Sequence, residues 1–477
     1  MVPSMRLFNT EKREKEKIIS SEPLKIYTCG PTVYDYAHIG NFRTYVVEDL
    51  LRRALKFFQF RVIQVMNITD IDDKTLRGAL REKVSLKDFT DAFIRAFFED
   101  LQHLRIEKVE YYPRATEYIP SMIEIINKLL TEGMAYRGGD GSIYYNIHTF
   151  STYGRLSHLP LEQLQRKEEG VIEDEYGKEN VADFVLWKAF DPQRDGKCYW
   201  ESPFGRGRPG WHIECSAMAL NLLGPTIDIH AGGVDNIFPH HENEIAQSEA
   251  YTRQPFVKHW LHVEHLLVDH QKMSKSLGNF FTLRDLMQQG YSGVELRYLF
   301  LQTHYRTPLN FTFANLKGAM HSLERLRDFI LRIRELKERD STKQGVVNAL
   351  LKTSLKLFAE ALAEDLNVVA ALAVLFDFVR EVNALCDQGK ISGEEAQKVL
   401  KFLHHIDQVL GILPLEEESM PPRSLQNLLV LRQRARELKE WEKADQYRDQ
   451  IIAKGYLIED TPCGARLKKR SVHEPKS

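Results

Sequence analysis

LKIYTCGPTVYDYAHIGNFRTYVVEDLLRRALKFFQFRVIQVM, residues 24–66, is the stretch on which the fold turns. Its first six residues, LKIYTC (24–29), form an apolar run of strand length, and GPTVYDYAHIGN behind them supplies turn residues. From Gly40 to Phe60 the apolar spacing changes. Tyr45, Val46, Leu50, Leu51, Ala54, Phe57 and Phe58 recur at intervals of three and four, the period of a helix. RVIQVM (61–66) then reads as a second strand. Strand, loop, helix and strand in that order predict a βαβ unit, and with it a parallel sheet of nucleotide-binding type.

Two more strand candidates, TIDIHA (226–231) and LHVEHLLVD (261–269), lie far downstream, so an insertion has to interrupt the sheet. Residues 112–200 fit one: they carry the Gly-rich hairpin signal GGDGS (138–142) and the acidic loop EEGVIEDEYGKEN (168–180). Beyond about residue 312 the pattern is helical to the end of the chain, with apolar stripes on Leu316, Met320, Leu323, Leu326, Ile330 and Ile333 and on Leu351, Leu355, Phe358, Leu362 and Leu366. LEEESMPP (415–422) has linker composition. The expected fold class is α/β. A Rossmann-like parallel-sheet domain, 1–111 and 201–285, is split by an inserted connective subdomain at 112–200. A short segment 286–312, a helical bundle 313–414 and a small basic module 423–477 follow.

Composition narrows the class further. The 477 residues are 43% hydrophobic and 28% charged, with 65 Lys and Arg against 67 Asp and Glu, which gives a net charge of −2. That excludes a wholly polybasic protein but not a nucleic-acid partner, because the distribution of charge matters more than its sum. Residues 423–470 hold 12 Lys and Arg against 7 Asp and Glu, a local +5 on a chain otherwise at −7. Five cysteines (29, 198, 215, 386 and 463) argue against a disulfide scaffold and for free thiols or metal ligands in a reducing, cytoplasmic setting. The N-terminal MVPSMRLFNTEKREKEK is too charged for a secretory leader, and the longest apolar stretch, Val368 to Phe376, stops at Asp377, so no membrane attachment is expected.

Three constellations carry chemistry. In AHIGN (37–41), Gly40 permits close approach of a base or phosphate, the helix start favours anions, and His38 and Asn41 add donors. In KMSKS (272–276), Lys272 and Lys275 alternate with Ser274 and Ser276, two cations and two hydroxyls suited to a triphosphate. Alone, each is better explained by a loop histidine with its own local hydrogen bond or by a solvated lysine-rich loop. In FPHHENEIAQ (238–247), His240 and Glu244 would share one helix face; with Cys215 in PGWHIECSAM (209–218) and Cys29 at the end of the first strand they make a donor set acceptable to tetrahedral zinc. The cysteines are not in a CxxC arrangement, and buried thiols with a surface ion pair remain the alternative.

Together, HIGN and KMSKS in this order resemble the two signatures of class I aminoacyl-tRNA synthetases. YTCGPTVYDYAHIGNFRTY (27–45), NITDIDDK (67–74), YYPRATEYI (111–119), DFVLWK (183–188), GRPGWHIECSAM (207–218), DIHAGGVDNIFPHHENEIAQSE (228–249), KMSKSLGNFFTLRD (272–285) and HYRTPLNF (304–311) resemble the cysteinyl-tRNA synthetase family in particular. The likeness thins through EDLNVVAALAVL (364–375) and DTPCGARLKK (460–469).

The resemblance implies one zinc on Cys29, Cys215, His240 and Glu244, binding the thiolate of the substrate cysteine and so rejecting serine without an editing domain. It implies ATP, with Mg²⁺, held by His38, Gly40, Asn41, Lys272, Ser274 and Lys275, and cysteine contacts at Thr32, Thr69, Trp211 and Asp235. It also implies tRNA(Cys) as the final acceptor: a stem contact from 286–312, an anticodon-binding module at 423–477, and phosphate contacts from Arg466, Lys468, Lys469 and Arg470. A monomer is expected. Two positions depart from the pattern: Asn41 stands where the signature commonly ends in a second histidine, and Leu467 where many members carry an aromatic residue. The rivals are a cysteine-activating ligase that joins cysteine to an amino sugar, a zinc hydrolase, and a non-catalytic tRNA-binding derivative. The long C-terminal part disfavours the first, and HIGN with KMSKS is left without a task in the second. The intact lysines, His38 and four donors disfavour the third.

Overall fold

The computed structural model describes residues 4–19, 23–159, 183–337, 345–415, 422–461 and 464–469. The acidic loop 168–180, Cys463 and Arg470 lie outside them, as do residues 416–421 of the linker. An antiparallel hairpin, β1 (Arg6–Asn9) and β2 (Glu14–Lys17), precedes the βαβ unit. The unit itself is β3 (Leu24–Thr28), α1 (Ile39–Phe57) and β4 (Val62–Met66), with β3 and β4 parallel from Leu24↔Val62 to Thr28↔Met66. α1 starts where the sequence expected because His38 and Asn41 cap it reciprocally. The Asn41 N–H donates to His38 Nδ1 at 3.1 Å, and the His38 N–H donates to Asn41 Oδ1 at 3.2 Å. The helix packs on the sheet and on a bundle helix opposite, which is why Phe42, Val46, Leu50 and Leu51 are all buried.

α2 (Asp73–Glu82), α3 (Leu86–His103) and α4 (Ile119–Thr131) lead into the insertion. Its core is an antiparallel sheet, β5 (Ala135–Arg137), β6 (Ile143–Tyr145), β7 (Phe184–Ala189) and β8 (Gly207–Pro209). The GGDGS turn joins β5 to β6, and β8 lies past the boundary expected at residue 200. A buried ionic network ties this sheet to α2: Lys188 reaches Asp73 at 2.6 Å, and Arg208 bridges Asp73 and Asp195. Removing one partner of such a network would leave a buried charge unpaired.

The chain then returns to the parallel sheet through α5 (Trp211–Leu223), β9 (Ile227–Gly233), α6 (Glu242–Thr252) and β10 (Val257–Val263). The strand order is β10-β9-β3-β4, all parallel, so the interrupted Rossmann-like sheet is complete. The single strand expected over 261–269 is two. β10 ends at Val263 and β11 (Leu266–Val268) begins a second sheet with β12 (Gln271–Lys272) and β13 (Leu309–Phe311). α7 (Gly293–Leu301) precedes β13, and the helices α8 (Phe313–Lys337), α9 (Val346–Ala363), α10 (Val368–Asp387) and α11 (Gly393–Leu410) form the bundle. Buried Asp365 fastens it to the rest. Its carboxylate accepts from the Phe8 N–H (2.9 Å), the Tyr305 hydroxyl (2.6 Å) and the Arg306 guanidinium (2.6 Å).

Residues 414–477, with 288–290, form a second unit. It holds α12 (Arg423–Glu437), α13 (Trp441–Ala453) and a hairpin of β14 (Tyr456–Thr461) and β15 (Gly464–Lys469). The expectation of helix to the end of the chain is therefore corrected. In the sequence, the proline and glycine of TPCG (461–464) separate two β-capable runs, a turn signal. Among the described residues no helix is long and apolar enough to cross a membrane.

Candidate active site

The carboxyl ends of the parallel strands converge on one region, where open α/β sheets characteristically bind ligands. Cys29 follows β3 directly, held by its N–H to the carbonyl of Ala231 on β9 at 3.3 Å. The next residue, Gly30, has no room for a side chain: a Cβ there would sit 1.8 Å from the carbonyl oxygen of Asn67. Cys215 comes from α5, and His240 and Glu244 from the entry to α6 and its first turn. One donor atom from each of these four residues lies within 4.8 Å of every other. His240 Nε2 is 3.1 Å from Glu244 Oε1, the one-face geometry that the four-residue spacing implied.

Histidines that the sequence reading passed over surround this cluster. His230 Nε2 lies 3.0 Å from Glu244 Oε2, His212 Nδ1 lies 2.9 Å from His240 Nδ1, and His241 Nδ1 lies 2.8 Å from His262 Nε2. His241 Nε2 also approaches Cys29 Sγ at 3.2 Å, so Cys29, His230, His241 and Glu244 form a second possible donor set. Two adjacent histidines in PHHEN gave the sequence no means of ranking them, and both adopt the same pose: each turns Nε2 to the cluster, His240 to Glu244 and His241 to Cys29, and Nδ1 outward, to His212 and His262. The electrostatics suit a cation. A hydrogen bond from Cys29 lowers the Cys215 thiol, and the same contact raises that of Cys29. Burial opposes the charged forms of His240 and Glu244, yet the anionic neighbours push His240 up to about 10, and His230 with His240 bring Glu244 down to about 2.

Cys29 also lines a cavity of about 270 Å³ with His38, Gly40, Asn41, Asp235 and Lys272. The HIGN and KMSKS segments meet here through backbone. The Ile39 N–H donates to the carbonyl of Phe281 at 2.9 Å, and Phe280 sets its ring edge-on to His38 at 5.3 Å. A Cβ on Gly40 would press on the His38 ring at 3.0 Å and on Met273 at 3.2 Å. Burial lowers His38 to about 4. The ring is therefore neutral at pH 7, and with Nδ1 accepting from Asn41 the proton is assigned to Nε2. Lys272 lies 3.9 Å from Asp235, and Lys275 pairs with Asp35, a partner the sequence did not suggest. Ser274 caps the turn after it and accepts from the Ser276 N–H at 3.3 Å.

A second cavity of about 640 Å³ is lined by Thr32, Tyr34, Lys74, Arg77, Trp211 and His212, among others. Thr32 and Thr69 bridge their backbones, Thr69 is buried, and the Trp211 ring stacks on His240 at 4.2 Å. The four expected cysteine contacts therefore divide: Thr32 and Trp211 face this cavity, Asp235 faces the smaller one, and Thr69 lines neither. In the second unit, Arg466, Lys468 and Lys469 lie on β15 opposite Glu459, Leu457 and Tyr456, far along the sequence from either cavity.

Residues 15–321 match the model for the class I (C) tRNA synthetase catalytic domain, and residues 357–414 match the DALR domain. The cysteine–tRNA ligase of Protochlamydia amoebophila is 57% identical over 471 residues, covering 98% of each chain. That of Chlamydia muridarum is 55% identical over 473 residues, covering 97% of this chain and 99% of its own. The chain belongs to the cysteine–tRNA ligase family. Among solved structures, methionyl-tRNA synthetase of Mycobacterium tuberculosis bound by methionyl-adenylate superposes with a TM-score of 0.61 at 12% identity, over 82% of this chain and 92% of that one. That likeness is one of class I synthetase fold.

Proposed function

We propose that this chain is a ligase that activates cysteine with ATP and transfers it to the 3′-terminal ribose of tRNA(Cys). One observation carries the reading: Cys29, a donor of the buried four-residue cluster, also lines the cavity bounded by HIGN and KMSKS. A group selective for sulfur then stands at the wall of a nucleotide site. The two thiols, imidazole and carboxylate fit zinc, which when bound would favour the soft thiolate of cysteine over the hydroxyl of serine.

In the first half-reaction a cysteine carboxylate oxygen attacks the α-phosphorus of ATP, forming the mixed anhydride as pyrophosphate leaves. In the second a ribose hydroxyl attacks the cysteinyl carbonyl and AMP leaves. The protein supplies no covalent nucleophile; its residues position groups and offset charge. The His38 Nε2–H donates to phosphate oxygen as a neutral group, and Lys272 and Lys275 neutralise the departing pyrophosphate, with Mg²⁺ accompanying the nucleotide. Asn41 acts on phosphate mainly through the helix start that it caps. Thr32, Thr69, Trp211 and Asp235 orient the amino acid, and the basic module, including Arg466, Lys468, Lys469 and Arg470, meets tRNA. A monomer in the cytoplasm completes the reading.

Similarity to the curated ligases along 97–98% of the chain, together with the DALR match, favours tRNA over an amino-sugar acceptor. Cysteine-dependent ATP–pyrophosphate exchange, followed by acceptor tests with tRNA(Cys) and glucosamine derivatives, checks both halves. Exchange with cysteine and ester formation on tRNA are expected; amide formation on the sugar would overturn the acceptor assignment.

A further inference from the structure

Helix α1 carries a buried cation close behind the HIGN residues. Arg43 lies two residues beyond Asn41 and is only 1% exposed. Its guanidinium donates to backbone carbonyls alone: Nη1 to Glu264 at 2.8 Å and to His265, Nη2 to Thr307 and, at 3.4 Å, to His304. Among the described residues it has no carboxylate partner within ion-pair distance. Four carbonyls around one buried cation form an unusual clamp, because an arginine withdrawn from water is ordinarily paired with an acid. The planar fork fixes the direction of each bond, which a lysine ammonium would not.

The two gripped segments are informative. Glu264 and His265 form the break between β10 and β11, and with Leu266 they make one wall of the small cavity. Three residues after β11, the chain enters β12, which ends at Lys272 of KMSKS. The other segment, 304–307, is itself anchored: His304 Nε2 bonds the Asp365 carbonyl at 2.8 Å, and Tyr305 and Arg306 bond its carboxylate. One side chain of the HIGN helix thus holds the wall from which the KMSKS hairpin departs, and braces it against a segment fixed to the bundle.

We propose that Arg43 is a positioning residue for the nucleotide: it sets the distance between the HIGN helix and the Glu264–Leu266 wall of the cavity, and so the register of the KMSKS hairpin. This rests on reading that cavity as the ATP site. Arg43 does not touch α5 or α6, which supply Cys215, His240 and Glu244; the wall it holds reaches the cysteine contacts only through Asp235, 3.5 Å from His265, so its larger effect falls on ATP.

The test compares wild type with Arg43→Lys, which keeps the charge, and Arg43→Ala. ATP binding is measured by titration calorimetry without cysteine; KM for ATP and for cysteine are measured in pyrophosphate exchange, zinc content by elemental analysis, and folding by thermal melting. Arg43→Lys is expected to remain folded and zinc-loaded, with Kd and KM for ATP raised about tenfold and KM for cysteine changed less than twofold. Methylguanidinium should partly restore ATP binding to Arg43→Ala and leave wild type unchanged. Unaltered ATP binding in a folded Arg43→Lys protein overturns the proposal. So does an equal rise in both KM values, which marks a merely structural role. If wild type binds ATP, Arg43→Lys weakens it, and neither protein exchanges pyrophosphate with cysteine, Arg43 keeps its role and the assigned reaction fails instead.

Discussion

The donor cluster and the KMSKS turn serve one proposed reaction from opposite physical regimes. Cys215, His240 and Glu244 are at most 1% exposed, locked by a shell of histidines, and contributed by α5 and by the start of α6. Lys272 and Lys275 have side chains 79% and 59% exposed, at the end of β12 and in the turn that follows it. Selection of sulfur needs fixed donors, because discrimination between a thiol and a hydroxyl depends on a geometry that does not relax to suit the wrong ligand. Neutralising a leaving pyrophosphate needs cations that can follow charge as it moves. Rigidity is invested where identity is read, and freedom where charge is displaced.

The sharpest way to break the contrast is to loosen the rigid side. Cys215→Ser should lose zinc and reduce cysteine-dependent exchange by about 1,000-fold, the largest effect expected of any single change here. Stoichiometric zinc in that variant would remove Cys215 from the ligand set. Lys275→Ala, on the exposed side, should cut exchange by about 100-fold, the usual loss when one donor to a developing charge is removed. Its zinc content, cysteine affinity and tRNA affinity should stay within about twofold of wild type, since none of them rests on the turn. Weakened cysteine binding in Lys275→Ala would show the two regions to be coupled rather than complementary.

The same contrast explains what was legible in the sequence. β3, α1 and β4 could be read because a buried strand and a two-sided buried helix leave unmistakable apolar periods. HIGN and KMSKS were legible as motifs because local chemistry is written locally. The histidine shell was not: His212, His230, His241 and His262 come from α5, β9, the entry to α6 and β10, and only the sheet brings them together. Asp35 was hidden for the same reason, separated from Lys275 by most of the catalytic unit. The β1–β2 hairpin left little signal, since EKEK presents no apolar face and stays exposed or half-buried, and RLFN is only four residues long. The C-terminal hairpin was misread as helix although its turn residues were visible, because a charged, weakly apolar stretch satisfies either period poorly.

His38 sits between the two regimes, and pH separates its roles. Burial holds its folded-state value near 4, against about 6.5 in an unfolded chain. Below 6.5 the unfolded chain takes up a proton that the native ring refuses. The stability contributed by the neutral ring is therefore complete above about pH 6.5 and declines as pH falls toward 4. His38→Asn keeps a side-chain acceptor for the helix start but removes the titration. The stability of this variant relative to wild type should rise as pH falls from 7 to 4.5, by urea denaturation at each pH. A constant difference would mean that the ring is solvated rather than held neutral.

The smallest expected effect tests the exposed side in the opposite direction. In this structure Lys275 is paired with Asp35 and lies over the Phe280 ring at 5.1 Å, so part of the charge intended for phosphate is already engaged. Asp35 also accepts from the Tyr36 N–H at 2.8 Å, a bond that asparagine can keep. Exposed pairs of this kind are worth about 0–1 kcal/mol, and salt screens them. Asp35→Asn should therefore leave the melting temperature unchanged and tighten ATP binding by up to about fivefold at low ionic strength, with the gain fading as salt is added. A gain that survives high salt would point to a rearranged turn instead of a freed charge. A loss of affinity would mean that Asp35 holds Lys275 in its working position, and that the exposed side of the site is built more like the buried one.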